Sequence, residues 1–486
     1  TQGHVLWDRR ANLAHVNGPG RINFAGDPDP VRVEDKELIF QGLMDLEFAD
    51  RPEIEEDSSL SLKTVNLTGG MEAFLQNKGI RGRANQARFT FQPSNKPDTL
   101  DLQGDVHFET DSKGQKSQVQ AQNTVFYFDS AGQIQTANLA GQVRLTSSGQ
   151  TAEADTADIQ FQQNQDGRLT PGHVRLGGKS HIESPGGKDM PPARFEALQI
   201  DYDLQTGKAI AAGPIHFTFY TPAEGVGNLL SGPIPVDITA HDRAEFLSDG
   251  KGTIEQVAFF GKVAAQWKAE GSDQQQIRRF FGDRLIVDLD KDTADGQRIQ
   301  HVSMQDQQVL FESIHLLEGK KVNHIRLTCR QFDYTAAENR LTALGPGKLE
   351  LNNQQVPAVL QASDPISLQK PCFAYMEGFD QLVWNLDSGT VLAEGKNGIY
   401  LNYWPFEQGV LGDQVIVQCV RSLARFASGD QGKNELVLLQ TGGGVEYREQ
   451  KERGRYLQGD MLSYERAGQW ILIEGTDAHP CKVDGV

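Results

Sequence analysis

The chain has 486 residues, a formal net charge of −18 and 38% hydrophobic residues. An acidic chain without a basic stripe argues against nucleic-acid binding and against electrostatic docking on an anionic membrane. No run of about 18 apolar residues occurs, so no membrane-spanning helix is predicted, and the start, TQGHVLWDRR, lacks the apolar core of a signal peptide.

From the N-terminus onward, short stretches alternate apolar and polar residues, which is typical of half-buried strands. The alternation is weak over residues 1–80, where Leu38 with Phe40 and Leu46 with Phe48 are the predicted strand pairs. It is clear in a series of later pairs, each followed by a turn: Phe89/Phe91, Phe126/Phe128, Ile159/Phe161, Ile200/Tyr202, Val287/Leu289, Phe332/Tyr334, Trp384/Leu386 and Leu462/Tyr464. A pattern that recurs every 30 to 50 residues or so indicates an array built from one supersecondary unit.

The unit is best preserved in the segment 120–161. Phe126 and Phe128 share one face of a predicted strand, and the turn 129–132 (DSAG) fits a hairpin because Asp caps its own turn and Gly accepts positive φ. In the strand that follows, residues 139, 141, 143 and 145 (L, G, V, L) are predicted to share one face. Gly141 on that face predicts a bulge or a close backbone approach.

Two segments interrupt the array. Residues 221–237 are rich in Pro and Gly, and residues 352–372 resemble them. We therefore predict an N-terminal segment over 1–220, a loop or linker over 221–237, and a C-terminal segment over 238–486 with a loop at 352–372. The sequence leaves open whether the array is one stack or two. The unit that begins at Ile473 is cut short at residue 486, so we expect the natural chain to continue.

The cysteines allow two interpretations. Cys329, Cys372, Cys419 and Cys481 form no CxxC pair, and two disulfides would have three connectivities. Four separate buried thiols are the alternative.

Sequence signatures of catalysis are absent: HExxH, GxSxG and CxxC do not occur. The segment 172–180 (GHVRLGGKS) misses the P-loop spacing by one residue. Aspartates at 288, 290, 292 and 295 resemble a calcium loop, but the repeat explains them better, because Asp129, Asp203 and Asp387 occupy equivalent predicted turns. We predict no catalytic residue, no metal site and no cofactor. The aromatic cluster around 404–406 (WPF) is interpreted as packing or capping rather than sugar stacking.

The alternation of A-x-x-A-x-[FI]-x-[FY] with L-x-G-x-V, as in 154–161 and 139–143, resembles the OstA-like β-jellyroll of periplasmic lipopolysaccharide-transport (Lpt) proteins. The resemblance covers roughly residues 80–475. It implies an all-β fold, an elongated, repeat-built β-jellyroll or solenoid with V-shaped stacked sheets and little helix. It further implies acyl chains held between the sheets, and docking to other β-jellyroll proteins of that kind through edge strands. The chain differs in its length, which exceeds one module, and in lacking a barrel segment.

These observations favour a non-enzymatic lipopolysaccharide-transport or bridge protein of the periplasm or cell envelope of a Gram-negative-type bacterium, with lipopolysaccharide or another envelope lipid as its partner. The predicted lipid groove consists of Phe89, Phe91, Phe126, Phe128, Val143, Leu145, Ile159, Phe161, Ile200, Tyr202, Phe217 and Phe219. A structural or adhesive β-solenoid with a closed core, and a carbohydrate-active enzyme on a β-helix, remain the alternatives.

Overall fold

A computed structural model of the chain describes residues 4–23, 36–49, 61–75, 80–112, 115–147, 149–163, 169–185, 191–221, 233–248, 254–270, 274–290, 298–354, 371–407, 410–428, 434–465, 468 and 470–484. Within these ranges the chain consists of β-strands and turns, with a 3₁₀ turn at Ala336–Glu338 and no α-helix. The all-β fold class is therefore confirmed, whereas its description as a repeat-built jellyroll stays a prediction. Across the same ranges, no helix is long and apolar enough to span a membrane.

The chain divides into two compact units. Unit 1 is formed by Thr1–Pro185, Ala193–Gly213 and Gly250–Gly252, and unit 2 by Gly186–Pro192, Pro214–Asp249 and Thr253–Val486. The strands of unit 1 are β1 (Val5–Asp8), β2 (Leu13–Asn17), β3 (Gly20–Asn23), β4 (Lys36–Phe40), β5 (Leu43–Ala49), β6 (Ser61–Leu67), β7 (Met71–Leu75), β8 (Ile80–Ala84), β9 (Gln86–Phe91), β10 (Pro97–Ser112), β11 (Gln115–Phe128), β12 (Ile134–Ser147), β13 (Gln150–Gln163), β14 (Leu169–Ser184), β15 (Ala193–Asp203) and β16 (Lys208–Ala212).

Unit 2 also consists of β-strands in chain order. They are β17 (Ile215–Thr221), β18 (Ile234–Ala240), β19 (Arg243–Ser248), β20 (Ile254–Glu270), β21 (Gln274–Asp290), β22 (Arg298–Leu317), β23 (Lys320–Thr335), β24 (Arg340–Asn353), β25 (Cys372–Asn385), β26 (Thr390–Glu407), β27 (Val410–Leu411), β28 (Gln414–Ser428), β29 (Asn434–Gln450), β30 (Tyr456–Glu465), β31 (Trp470–Glu474) and β32 (Lys482–Asp484).

The long strands of unit 1 bend near their middle. In β12, Gly141 and Gln142 have φ values of 79° and 53°, and the pairing with β13 shifts between Ala140 and Val143. Two consecutive left-handed residues and a shifted register form a bulge, which sharpens the local twist. The bulge predicted at Gly141 is confirmed. Equivalent shifts interrupt the pairing of β10 with β11, of β11 with β12, of β13 with β14 and of β14 with β15.

The bend folds the two halves of a strand face to face. Phe108 pairs with Val119, so a straight β11 would carry Phe126 about 23 Å away along the strand. The ring centroids of Phe108 and Phe126 are instead 5.4 Å apart. The strand halves of unit 1 therefore form two layers around a shared apolar core.

Each layer of unit 1 is a continuous antiparallel ladder. Layer A joins β1, β2, β5, β6, β9, the segments 97–103, 123–128, 134–140, 156–163, 169–177 and 199–203, and β16. Layer B joins β3, β4, β7, β8 and the segments 106–112, 115–121, 143–147, 150–154, 180–184 and 193–197.

The bend divides the apolar face that the sequence predicted for β12. Leu139, Gly141, Val143 and Leu145 were expected to share one face. Leu139 lies in layer A, whereas Val143 and Leu145 lie in layer B, because the bend at Gly141 separates them. All three still face the core, since the bulge preserves the inward side across the bend.

Unit 2 has the same construction. Phe280 pairs with Phe311, and Phe332 pairs with Met304 on the other side of the register shift in β22. Nevertheless the Phe280 and Phe332 centroids are 5.2 Å apart. Layer C contains β17, β18 and the segments 263–270, 274–282, 309–317, 320–329, 347–353, 372–377 and 399–405, and layer D contains β19 and the other halves of the same strands.

Strands occupy the ends of both predicted loops. Ile234–Ala240 forms β18, paired with β17 and β20, so the end of the segment 221–237 belongs to a strand. β24 continues to Asn353 and β25 begins at Cys372. Residues 222–232 and 355–370 lie outside the described residues. The predicted boundary at residue 220 falls inside β17, within unit 2.

Candidate functional site

Inward side chains of layer A lie opposite one another on successive strands and form rows that cross the layer. The inner row, next to the bend, comprises Leu102, Thr124, Leu139, Ala157, Leu176, Ile200 and Ala211. The middle row, one inward position further from the bend, comprises Phe89, Leu100, Phe126, Ala137, Ile159, Val174 and Tyr202. In-register pairs of this kind keep one apolar surface continuous across all the strands.

Layer B presents a matching apolar face to layer A. Its inner row comprises Val106, Ala121, Val143, Ala154, Ser180 and Ala197, and its middle row Phe108, Val119, Leu145, Ala152, Ile182 and Phe195. None of the four rows of unit 1 contains a charged residue. The two layers of unit 1 therefore face each other with uncharged rows that meet at the bend.

Burial decreases with distance from the bend. In the inner row of layer A no residue is more than 4% exposed. In the middle row Phe89, Phe126 and Tyr202 are half-buried, and beyond that row so are Phe128 and Phe161. Ala137 and Ile159 of the middle row are buried, at 1% and 9% exposure. The aromatic side chains of these rows therefore contribute to the apolar surface that stays accessible.

The predicted groove residues fall into both units. Phe89, Phe126, Ile159 and Tyr202 lie in the middle row of layer A, Ile200 lies in its inner row, Phe91, Phe128 and Phe161 lie beyond the middle row, and Val143 and Leu145 lie in layer B. Phe217 and Phe219 belong to unit 2, where their rings stack with centroids 5.2 Å apart. Ten of the twelve predicted residues therefore lie in unit 1 and two in unit 2, and their lining of a lipid groove stays a prediction.

Unit 1 also has inward residues that the sequence did not single out. Leu100, Phe108 and Phe195 extend the same rows. The sequence indicates them through period-two spacing, because Leu100 lies two residues before Leu102 and Phe108 two residues after Val106.

Layer C of unit 2 has an innermost row at the bend, which includes Val263 and Gly282, and three further inward rows that differ in chemistry. The apolar row is Phe217, Ile238, Ala265, Phe280, Phe311, Leu327, Leu349, Met376 and Leu401. Next comes the arginine row: Phe219, Val236, Trp267, Arg278, Ser313, Ile325, Leu351, Ala374 and Tyr403. Furthest from the bend is the amide row: Ala269, Gln276, His315, Asn323, Asn353, Cys372 and Pro405.

The other features named from the sequence are structural where they are described. Trp404 packs against Phe373 and Tyr375, with centroids 5.4 and 5.8 Å apart. The segment 172–180 lies within β14, so it is not a phosphate-binding loop. Asp292 and Asp295 lie outside the described residues. Among the described residues, no three His, Cys, Asp or Glu side chains converge as metal ligands would.

The predicted equivalence of three aspartate turns holds for two of them. Asp129 Oδ1 accepts hydrogen bonds from the N–H groups of Ala131 (2.8 Å) and Gln133 (2.9 Å). Asp203 Oδ1 accepts them from the N–H groups of Gln205 (2.8 Å) and Thr206 (3.1 Å). In the third turn, which contains Asp387, Asn385 Oδ1 accepts the corresponding hydrogen bond, from the Ser388 N–H at 2.8 Å.

The cysteines are free thiols. Cys329, Cys372 and Cys419 are buried, and Cys481 is exposed. Burial raises the pKa of each of the three buried thiols to about 12. Neither interpretation from the sequence was fully correct, because no disulfide forms and one thiol is not buried.

No family model matches the chain, and no curated protein matches it. The resemblance to the OstA-like family therefore rests on the residues quoted from the sequence.

Proposed function

We propose that the chain is a non-enzymatic lipid-transport or bridge protein of the OstA-like kind, which holds acyl chains between two β-layers. The observation that carries this proposal is the graded burial in unit 1, where the inner row is covered and the aromatic residues farther from the bend remain half-buried. Covering such a surface with an acyl chain contributes about 0.8 kcal/mol per buried CH₂. Rows without charged residues give a sliding chain nearly the same environment on every strand.

Docking to other proteins through edge strands belongs to the same proposal. β1 pairs only with β2 among the described strands, and its residues Val5 and Leu6 are 64% and 65% exposed. β31 pairs only with β30, and Ile471 and Leu472 are 39% and 45% exposed. An exposed apolar edge is a template for strand addition, which supports a β-protein of the same kind as the partner. The proposed place of action is the periplasm or cell envelope, and lipopolysaccharide is the proposed cargo.

Native mass spectrometry tests the proposal. The protein is purified from a Gram-negative host, delipidated, and then incubated with lipopolysaccharide or with phospholipid. We expect adducts of defined stoichiometry whose extracted mass is that of the added lipid. A protein that stays free of lipid in both incubations would contradict the proposal and favour a closed structural solenoid.

A further inference from the structure

Arg278 directs its side chain toward the interior of unit 2. It lies two residues from Phe280, whose ring meets Phe332 of the opposite layer, and no register shift separates residues 274 and 281. Side chains two residues apart in a strand share a face. The Arg278 guanidinium lies over the ring of its row neighbour Trp267, with Cζ 5.0 Å from the centroid.

Within the described part of the chain, this guanidinium has no acidic partner. Among the residues given for the three rows, which end at β26, Arg278 alone is formally charged, and no carboxylate forms an ion pair with it among the described residues. The register of β28 and β29 adds Glu449 to the same row, and that carboxylate is paired with Lys451 and Arg455. Its neighbour Arg279 faces the other side and donates a hydrogen bond to Gln266 Oε1 at 3.0 Å. A half-buried cation without a counter-charge is costly, and a guanidinium matches the geometry of carboxylates and phosphates.

The amide row provides a second, independent observation. Gln276, which is 7% exposed, and Asn323, which is 1% exposed, flank His315 in register. The Gln276 Nε2 and Asn323 Oδ1 atoms are buried and have no hydrogen-bond partner among the described residues. Buried polar atoms are usually satisfied, so an unpaired donor and an unpaired acceptor indicate a ligand or a water that supplies the partners.

The order of the rows fits an amphiphile. Of the three rows, the apolar row lies closest to the bend, Arg278 lies about 7 Å further out, and the Gln276 amide follows at the same spacing. We propose that layer C of unit 2 contains an anion-binding subsite, centred on Arg278 and extended by Gln276 and Asn323, that takes the carboxylate or phosphate head group of a lipid whose chain lies along the apolar row. This inference rests on the proposed function and adds the class of head group.

The test compares three twelve-carbon probes, dodecanoate, dodecyl phosphate and dodecan-1-ol, by calorimetric titration of the full chain. The variants are Arg278→Gln and, as a matched control on the opposite face, Arg279→Gln. Wild type should bind both anions at least tenfold more tightly than the alcohol. Arg278→Gln should abolish that preference and leave alcohol binding unchanged, whereas Arg279→Gln should behave as wild type. The anion that wild type binds more tightly indicates whether the subsite takes a carboxylate or a phosphate.

The outcomes separate the two proposals. Equal binding of all three probes to wild type, or an Arg278→Gln variant that keeps the anion preference, overturns the subsite and leaves the acyl groove standing. No binding of any probe contradicts the groove itself. Arg278→Lys guards against misfolding, because it keeps the charge and should keep most of the anion preference. If Arg278→Lys folds and loses the preference as completely as Arg278→Gln, the charge is not what selects anions and the subsite is overturned.

Discussion

Gly141 lies directly beneath Gln122, so that a Cβ at position 141 would be 2.9 Å from the Gln122 Cβ. Gly141 also has a φ of 79°. The same arrangement recurs where Gly178 meets Asp155 and where Gly261 meets Asp242. The bend between the layers therefore depends on glycine for two separate reasons, conformation and space.

The Gly141→Ala variant should destabilise the bend by more than the φ penalty of about 1–2 kcal/mol. The matched control is Gly319→Ala, because Gly319 has a φ of 76° but nothing within 4 Å of an added Cβ. Hydrogen exchange of β11–β13 and of the β22–β23 hairpin measures the two effects. Equal losses of protection in the two variants would show that the contact with Gln122 contributes nothing.

The Phe128→Asp variant distinguishes an open groove from a closed core. Phe128 is half-buried beyond the middle row, whereas Tyr127 is 42% exposed on the other face of β11. In an open groove, Phe128→Asp should fold and take up lipid at least tenfold more weakly, because a charge would line the apolar surface. Tyr127→Asp should take up lipid as wild type does. Loss of exchange protection across β10–β12 in Phe128→Asp alone would indicate a closed core.

Thiol labelling of the native protein should modify Cys481 and spare the other cysteines. Burial raises the pKa of the Cys329, Cys372 and Cys419 thiols to about 12. At neutral pH these thiols are therefore protonated as well as inaccessible to the reagent. Labelling with iodoacetamide before and after denaturation, followed by peptide mass analysis, measures this. Rapid native labelling of Cys372 would contradict the described burial of the amide row.

The hairpin between β29 and β30 should weaken only in strong acid. Burial by itself would raise the pKa of Glu449, but hydrogen bonds from Arg455, Lys451 and Tyr447 outweigh it and hold that pKa at about 2. A carboxylate whose pKa is lowered on folding contributes stability above its unfolded value, about 4.5, and that contribution is lost as the pH falls through 2.

Exchange protection of this hairpin, followed from pH 6 to pH 2, is the measurement. Glu449→Gln should lower the protection at pH 6 by an amount equivalent to about 2 kcal/mol and flatten its pH dependence. Glu446→Gln is the control, since Glu446 pairs with Arg448 on the same strand and is 36% exposed. An unchanged profile in Glu449→Gln would show that the ion cluster does not support the hairpin.

Strand positions could be predicted from the sequence because side chains alternate with period two. Phe126 with Phe128 and Ile159 with Phe161 fall in strands that carry their apolar residues inward, and Gly141 marks a bulge as expected. The face-to-face folding of each strand was missed. Period-two alternation continues through the bend, so Leu139 and Val143 look like neighbours on one flat surface although they belong to different layers.

The polar interior of unit 2 was missed for a different reason. From the sequence, Gln276 and Arg278 would be placed on the solvent-facing side of a strand, because they are polar. They lie on the inward side because they share a strand face with Phe280. Asn323 is set beside His315 by a hairpin whose register cannot be derived from either strand alone. The Pro- and Gly-rich composition of 221–237 likewise concealed β18, because Ile234 to Ala240 gains its strand conformation from pairing with β17 and β20.

The ladder from β10 to β16 has a consequence for how such a chain can change in length. Each strand pairs with the strand before it and the strand after it along the chain, and the inner row takes one side chain from every strand. Removal of two successive strands, such as β13 and β14, would bring β12 beside β15 in the antiparallel sense and leave the row unbroken. Duplication or loss of hairpins can therefore lengthen or shorten the apolar surface in steps of two strands, without redesign of the strands that remain.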